Sequence, residues 1–240
     1  MTITFSQLGN QGRLGNQLFQ MTAAICLALS NNDNYQFPSW KYEPYFNLHN
    51  CFSNNFAYTS TYNEPHFHYT HIPYQPNLNL SGYFQSYKYM IGHEDFIKNK
   101  FIPINKIEAM PNTTSIHVRR GDYVLQQQFH PIMTMDYYKK AIDICNTEKY
   151  YIFSDDIVWC KSKFVGSQFI FADGNHETID MAMMSKCQNI IMANSSFSWW
   201  AGWLGEKEDK KIIYPKQWFG PALLHDTKDL IPQKENWIGL

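Results

Sequence analysis

Gly12-Arg13-Leu14-Gly15-Asn16-Gln17 places two glycines between a short apolar segment and a helical run. Backbone N–H groups in such a loop can close on an anion at a helix N-terminus. With Gly9 ahead of Gly12 and Gly15 the spacing is GxxGxxG, and no Gly-Lys-Ser/Thr ends it, so it is neither a Walker A loop nor a dinucleotide loop. A plain tight βα turn is the alternative. A second candidate, His117-Val118-Arg119-Arg120-Gly121-Asp122-Tyr123, leaves the end of an apolar strand pattern. Two guanidinium groups there are costly to desolvate without an anion. Their forks match phosphate oxygens two at a time, so a diphosphate is a natural guest. The competing reading is an internal pair of Arg119 or Arg120 with Asp122. His117 either polarises a phosphate or packs beneath the loop.

Two further segments share that context. Ser154-Asp155-Asp156 follows a strand and precedes a helix, where one carboxylate serves as an ordinary N-cap. The pair lacks the DxD spacing of a nucleotide-bound metal. Asn194-Ser195-Ser196-Phe197-Ser198-Trp199-Trp200 offers N–H and O–H donors at another strand-to-helix junction. Capping by Ser198, with Trp199, Trp200 and Trp203 in the core, is compatible with serines facing a ligand. His66, His68 and His71 form an HxHxxH without flanking acid or cysteine ligands, a poor metal site. No GxSxG and no activated cysteine supports nucleophilic catalysis.

The elements that must hold these residues follow from periodicity. Ile3 to Gln7 reads as a strand and Leu18 to Ser30 as a helix. From Asn31 to Pro111 the pattern deteriorates into expected short helices and irregular loops. Beyond it, strands at Ser115–Val118, Tyr150–Phe153, Gln168–Phe171, Asn189–Ala193 and Ile212–Tyr214 alternate with helices. The helices are a short one after Asp156, Met135–Cys145 behind Thr134 as N-cap, Glu177–Lys186 and Trp199–Leu204. Alternation of this kind predicts a parallel sheet with helices on both faces, ligands binding where loops leave the C-terminal strand ends. The division predicted is 1–110 as an N-terminal, acceptor-side domain carrying the glycine loop, and 111–240 as a C-terminal, donor-binding domain.

Composition narrows the class. Hydrophobic residues make up 44% of the 240, which excludes intrinsic disorder. A net charge of -1 argues against a protein that wraps nucleic acid by bulk charge. Abundant Trp and Tyr, apolar in the ring and polar at the edge, suit carbohydrate or nucleotide surfaces. Five cysteines without a CxxC pair, several inside apolar runs, predict reduced buried thiols. Ala23 to Leu29 is too short to span a bilayer and follows no basic segment, so no signal peptide is expected. The expected location is cytoplasmic, with work at the inner face of a membrane compatible, and the sequons at Asn79, Asn112 and Asn194 read as chance.

Taken together and in order, the Gly12–Gln20, His117–Tyr123, Phe153–Asp156 and Asn194–Trp200 motifs resemble glycosyltransferase family 11, which contains the GDP-fucose-dependent α-1,2-fucosyltransferases. The resemblance implies an α/β, GT-B-like fold of two Rossmann-like halves, with a parallel sheet in the C-terminal donor-binding half. It implies inverting transfer of L-fucose from GDP-β-L-fucose to the 2-hydroxyl of a galactoside, with no essential metal or other cofactor. The acceptor would be a galactose-containing oligosaccharide or a lipid-linked glycan. By the same resemblance Arg119 holds the diphosphate, and Gly12, Gly15, Asn16, Gln17, Asp155, Ser195 and Ser196 complete the donor site. Asp180, fifteen residues before the serines, matches the acid that reads guanine. Asp122 is the nearest carboxylate for a general base, or else orients an arginine. A catalytically inert nucleotide-sugar or carbohydrate-binding protein on the same scaffold is the alternative, and a P-loop kinase is disfavoured by the missing lysine.

Overall fold

A computed structural model describes residues 1–240 and divides into two units: Met1–Ile104 with His225–Pro232, and Asn105–Leu224 with Gln233–Leu240. The first unit's main segment ends at Ile104, six residues before the 110/111 division read from the sequence, and the return of His225–Pro232 to it has no counterpart in the sequence pattern. The return is tied by Asp229, whose carbonyl accepts from Tyr87 N–H and whose side chain pairs with Lys88 at 2.6 Å.

In the first unit, β1 (Thr2–Ile3) pairs in parallel with β2 (Asn34–Tyr35), and β3 (Ser60–Asn63) with β4 (Leu78–Ser81). A parallel bridge from Thr4 to Asn79 joins the two pairs. Between β1 and β2 runs α1 (Leu14–Ser30), rich in alanine and leucine and buried along most of its length. The irregular loops expected for 31–111 therefore give way to parallel strands at β2, β3 and β4. They escaped the periodicity because each is two to four residues long and is stabilised by non-local pairing. Short α2 (Glu94–Phe101) closes the segment.

The second unit holds six strands: β5 (Met110–Val118), β6 (Lys149–Ser154), β7 (Phe169–Phe171), β8 (Cys187–Ile191), β9 (Ile212–Tyr214) and β10 (Trp237–Gly239). All pair in parallel, in the spatial order β10-β9-β8-β5-β6-β7. Starting at β5, the chain builds outward through β6 and β7, then crosses back to lay β8, β9 and β10 on the other side. That is the Rossmann order, and its reversal between β5 and β8 opens a crevice at their C-terminal ends. The architecture is α/β and GT-B-like in type, as expected.

Helices α3 (Met135–Cys145), α4 (Ile157–Lys163), α5 (Glu177–Lys186) and α6 (Ser196–Leu204) make the crossovers. Thr134 caps α3 by accepting from Tyr137 N–H at 3.3 Å. Ser195, not Ser198, caps α6; Ser198 lies inside the helix and donates back to the Ala193 carbonyl at 3.3 Å. Trp199, Trp200 and Trp203 are buried against one another, as expected of the core face. All five cysteines are buried free thiols. No helix is long and apolar enough to cross a membrane.

Candidate functional site

Three neighbouring strand ends of the second unit bring the C-terminal motifs together. The β5 pairing carries Val118 opposite Ser154 of β6, so Arg119 and Arg120 emerge directly beside Asp155 and Asp156. Arg119 donates through Nη1 to Asp155 Oδ2 at 2.5 Å and through Nη2 to Asp122 Oδ1. Its guanidinium lies 4.9 Å from the Tyr123 ring centroid. Arg120 bonds Asp156 Oδ2 through Nε at 3.0 Å and stacks over Trp159 at 4.1 Å. Its backbone N–H donates to the second oxygen of Asp155 at 2.8 Å. Tyr123 reaches the third strand end, its hydroxyl donating to the Asn194 carbonyl at 3.4 Å.

The internal Arg–Asp reading is thus part of the structure, and wider than the sequence suggested. Asp155 is a holder of both arginines, and Asp156 at once caps α4, accepting from Trp159 N–H, and fixes Arg120. Asp122 faces Arg119, which fits the orienting role left open for it. Two guanidinium groups against three carboxylates leave this cluster one negative charge. Both ends of the Arg119 fork are thus already occupied by carboxylates.

His117 belongs to the strand, not to the open site. It is 6% exposed, packs on Phe197 at 5.4 Å, and its Nδ1 has no hydrogen-bond partner. Burial, with Arg119 adding to it, lowers its pKa to about 3, so the ring is neutral and can offer a phosphate no charge. Ser195 and Ser196 are partly exposed at the N-terminus of α6, with Ser195 Oγ accepting from Phe197 N–H at 3.3 Å. Asn194 Nδ2 bonds the carbonyls of Pro131 and Trp218, both at 3.0 Å, which anchors the loop from two sides. Asp180 sits in the first turn of α5, partly buried, with Asn175 Nδ2 donating to it at 3.0 Å. Burial raises its pKa against that bond; one side-chain donor leaves the carboxylate further acceptor sites.

The glycine loop lies in the first unit, between β1 and α1. Gly12 has φ +74°, and a Cβ there would stand 2.6 Å from Asn16 Cβ, so the turn requires glycine. Gly15 and Asn16 are helical, in the first turn of α1. Gln17 is committed at both ends: Nε2 donates to the Gly12 carbonyl at 2.9 Å and Oε1 accepts from Trp40 at 2.7 Å. It braces the loop and is not free to meet a donor. Asn16 Oδ1 accepts from Gln85 at 2.9 Å. His66 and His68 stack on each other at 5.0 Å, His68 facing Asp226, and no three His, Cys, Asp or Glu side chains converge as a metal site requires.

A six-stranded parallel sheet in Rossmann order, with arginines and a serine-capped helix at its switch point, defines a Rossmann-type α/β unit. The chain belongs to glycosyltransferase family 11, whose profile, described as Glycosyl transferase family 11, matches residues 29–240. The O-antigen biosynthesis glycosyltransferase WbnK of Escherichia coli is 43% identical over 119 residues, 45% of this chain and 39% of that protein. An alpha-1,2-colitosyltransferase of Escherichia coli is 32% identical over 68% of this chain and 62% of its own length. The human galactoside alpha-(1,2)-fucosyltransferase 1 is 26% identical over 65% of this chain and 54% of its own. The chain spans between about two fifths and three fifths of the length of these relatives.

Proposed function

We propose that the protein is an inverting glycosyltransferase that moves L-fucose from GDP-β-L-fucose to the 2-hydroxyl of a galactoside. The observation that carries this reading is the paired arginines at the switch point of the second unit. Breaking a sugar–phosphate bond leaves charge on the β-phosphate, and fixed donors there stabilise it. Arg119 is the donor assigned to that charge, with the α6 N-terminus and Ser195 and Ser196 assisting. Asp180 reads guanine: N1–H and the exocyclic amine both donate, which suits a carboxylate with unfilled acceptor capacity. The acceptor is a galactose-containing oligosaccharide or lipid-linked glycan, and the reaction is metal-independent. The site of action is cytoplasmic, a reading supported by five unpaired thiols.

The test is a panel of GDP-sugars against galactosides, with linkage analysis of the product and a parallel series in EDTA. An α-1,2-fucosyl product formed equally in EDTA is the expected result. Loss of activity on chelation, restored by magnesium or manganese, overturns the metal-independent mechanism. The colitosyltransferase relative supports a second reading, transfer of colitose, which the same panel separates. GDP release without a glycosylated product, or GDP binding with no turnover, would mark an inert binding protein.

A further inference from the structure

Three loops of the second unit meet around one ring, that of Tyr123. The residue lies in a short helical turn, Gly121–Leu125, that follows Arg119 and Arg120 at the end of β5. The turn is tight: Val124 N–H donates to the Arg120 carbonyl at 3.0 Å, and a Cβ at Gly121 would collide with Asp155 Oδ2. It carries the Tyr123 ring to 4.9 Å from the Arg119 guanidinium. Asp122 and Asp155 hold the edge of that guanidinium, because all its N–H groups point outward in its own plane. Edge contacts restrain its tilt only weakly. A contact on its face sets the tilt, and the Tyr123 ring lies within cation–π range.

The ring is itself backed. His130 stacks on it with centroids 4.6 Å apart and planes 14° from parallel, and Phe219 packs on His130 at 5.9 Å. Bonds from two other loops hold this backing in place. Gly220 N–H donates to the Phe129 carbonyl and Ala222 N–H to the Gln128 carbonyl, both at 2.9 Å. Asn194 Nδ2 ties together the carbonyls of Pro131 and Trp218, the neighbours in sequence of His130 and Phe219. The Tyr123 hydroxyl reaches the backbone carbonyl of the same Asn194 at 3.4 Å, which is long for an O–H···O bond. The ring and not the hydroxyl therefore supplies most of the restraint. Asn194 in turn precedes Ser195, the cap of α6, so Tyr123 joins the arginine fork to the loop that opens that helix.

We propose that Tyr123 is a positioning residue whose ring holds the Arg119 guanidinium at the angle at which it meets a diphosphate bound beside Ser195 and Ser196. Tyr123 acts through Arg119 and needs no contact of its own with the ligand. The inference rests on the diphosphate reading of Arg119 given above and is independent of which sugar is moved. It makes the two residues one unit: the contribution of the ring is expressed through Arg119 and vanishes with it. A ring that only filled space would cost the same when removed, whether Arg119 were present or not.

The experiment is a double-mutant cycle on the full chain, read by GDP affinity in calorimetry, with Tm and steady-state kinetics in parallel. The variants are Tyr123→Leu, Tyr123→Phe, Arg119→Ala and the double variant Arg119→Ala with Tyr123→Leu. Leucine fills much of the same space without a π face, and Tyr123→Met serves as a second non-aromatic variant should leucine not fold. Tyr123→Leu should weaken GDP binding roughly 3- to 30-fold, the range of a cation–π contact. Tyr123→Phe keeps the ring and should stay within about twofold of wild type. In the Arg119→Ala background, Tyr123→Leu should change GDP affinity by less than about twofold. Wild-type GDP affinity and turnover in Arg119→Ala would refute the diphosphate reading itself, and the positioning role with it. With Arg119→Ala impaired, three outcomes would overturn the positioning role alone: wild-type affinity in Tyr123→Leu, a Phe variant as poor as Leu, or a Leu loss undiminished in the double variant.

Discussion

The two units solve opposite electrostatic problems. At the switch point of the second unit, two arginines are matched by three aspartates, and all five groups lie within a chain of short contacts. In the first unit the corresponding strand-to-helix loop is built from glycine and neutral amides, and the nearby charge, Glu64, has only backbone dipoles for company. A compensated cluster exchanges counter-ions readily, so it suits a ligand that brings its own charge. A partly buried carboxylate held only by backbone N–H groups is instead pushed toward its protonated form by desolvation.

The largest expected effect that would break this contrast is at Arg119. Arg119→Ala removes the donor assigned to the developing charge and should cost on the order of 3 kcal/mol in transition-state stabilisation, roughly 100-fold or more in kcat/KM. Arg119→Lys should also be impaired, because one ammonium cannot span both carboxylates or two phosphate oxygens. Asp122 and Asp155 are part-exposed, so the Tm of the alanine variant should move by only a few degrees. Wild-type turnover in either variant would remove the second unit's site from the chemistry.

A smaller loss is expected at Asp180. Asp180→Ala should weaken GDP binding by about 1–3 kcal/mol, read by calorimetry, with little change in Tm. Unchanged GDP affinity would leave guanine recognition to other residues. In the first unit, Gly12→Ala forces a side chain into a left-handed turn against Asn16 and should destabilise the protein by roughly 1–3 kcal/mol in denaturant unfolding. No measurable change would mean that the loop is not the rigid brace its hydrogen bonds describe.

The smallest effect distinguishes the units by pH. His117, lowered to about 3 by burial, makes stability fall as pH drops from about 6.5 toward 3, because only the unfolded state then gains the proton. Glu64, raised to about 7, acts in the opposite sense: the folded state holds the extra proton, and its contribution is lost as pH rises from about 4.5 through 7. Tm against pH should therefore fall off more steeply on the acid side in Glu64→Gln than in the wild type. Identical profiles would mean that Glu64 titrates as an ordinary exposed carboxylate.

Much of this was legible from residue order. The regular alternation after Pro111 placed β9, α3 and α5 with their observed limits, because apolar runs set off by capping and turn residues are decided locally. The motifs at Arg119, Asp155 and Ser195 could be assigned to strand ends for the same reason. What no local pattern held was partnership. β2, β3 and β4 are too short to carry a period and exist through pairing with residues far along the chain. Glu64 lies in a stretch of Tyr, Asn, His and Pro with no motif, and its environment comes from a turn about twenty residues further on. Likewise, burial of His117 and the commitment of Gln17 to Trp40 depend on packing, so residue type alone offered a ligand-facing role for both. The sequence by itself determined the alternation of strands and helices from β5 to β9, the apolar core faces and the family resemblance, since these follow from residue type and spacing. Only the tertiary structure decided which charges are paired, which are left alone and which are removed from water, because desolvation and counter-ion distance are properties of folded space and not of chain order.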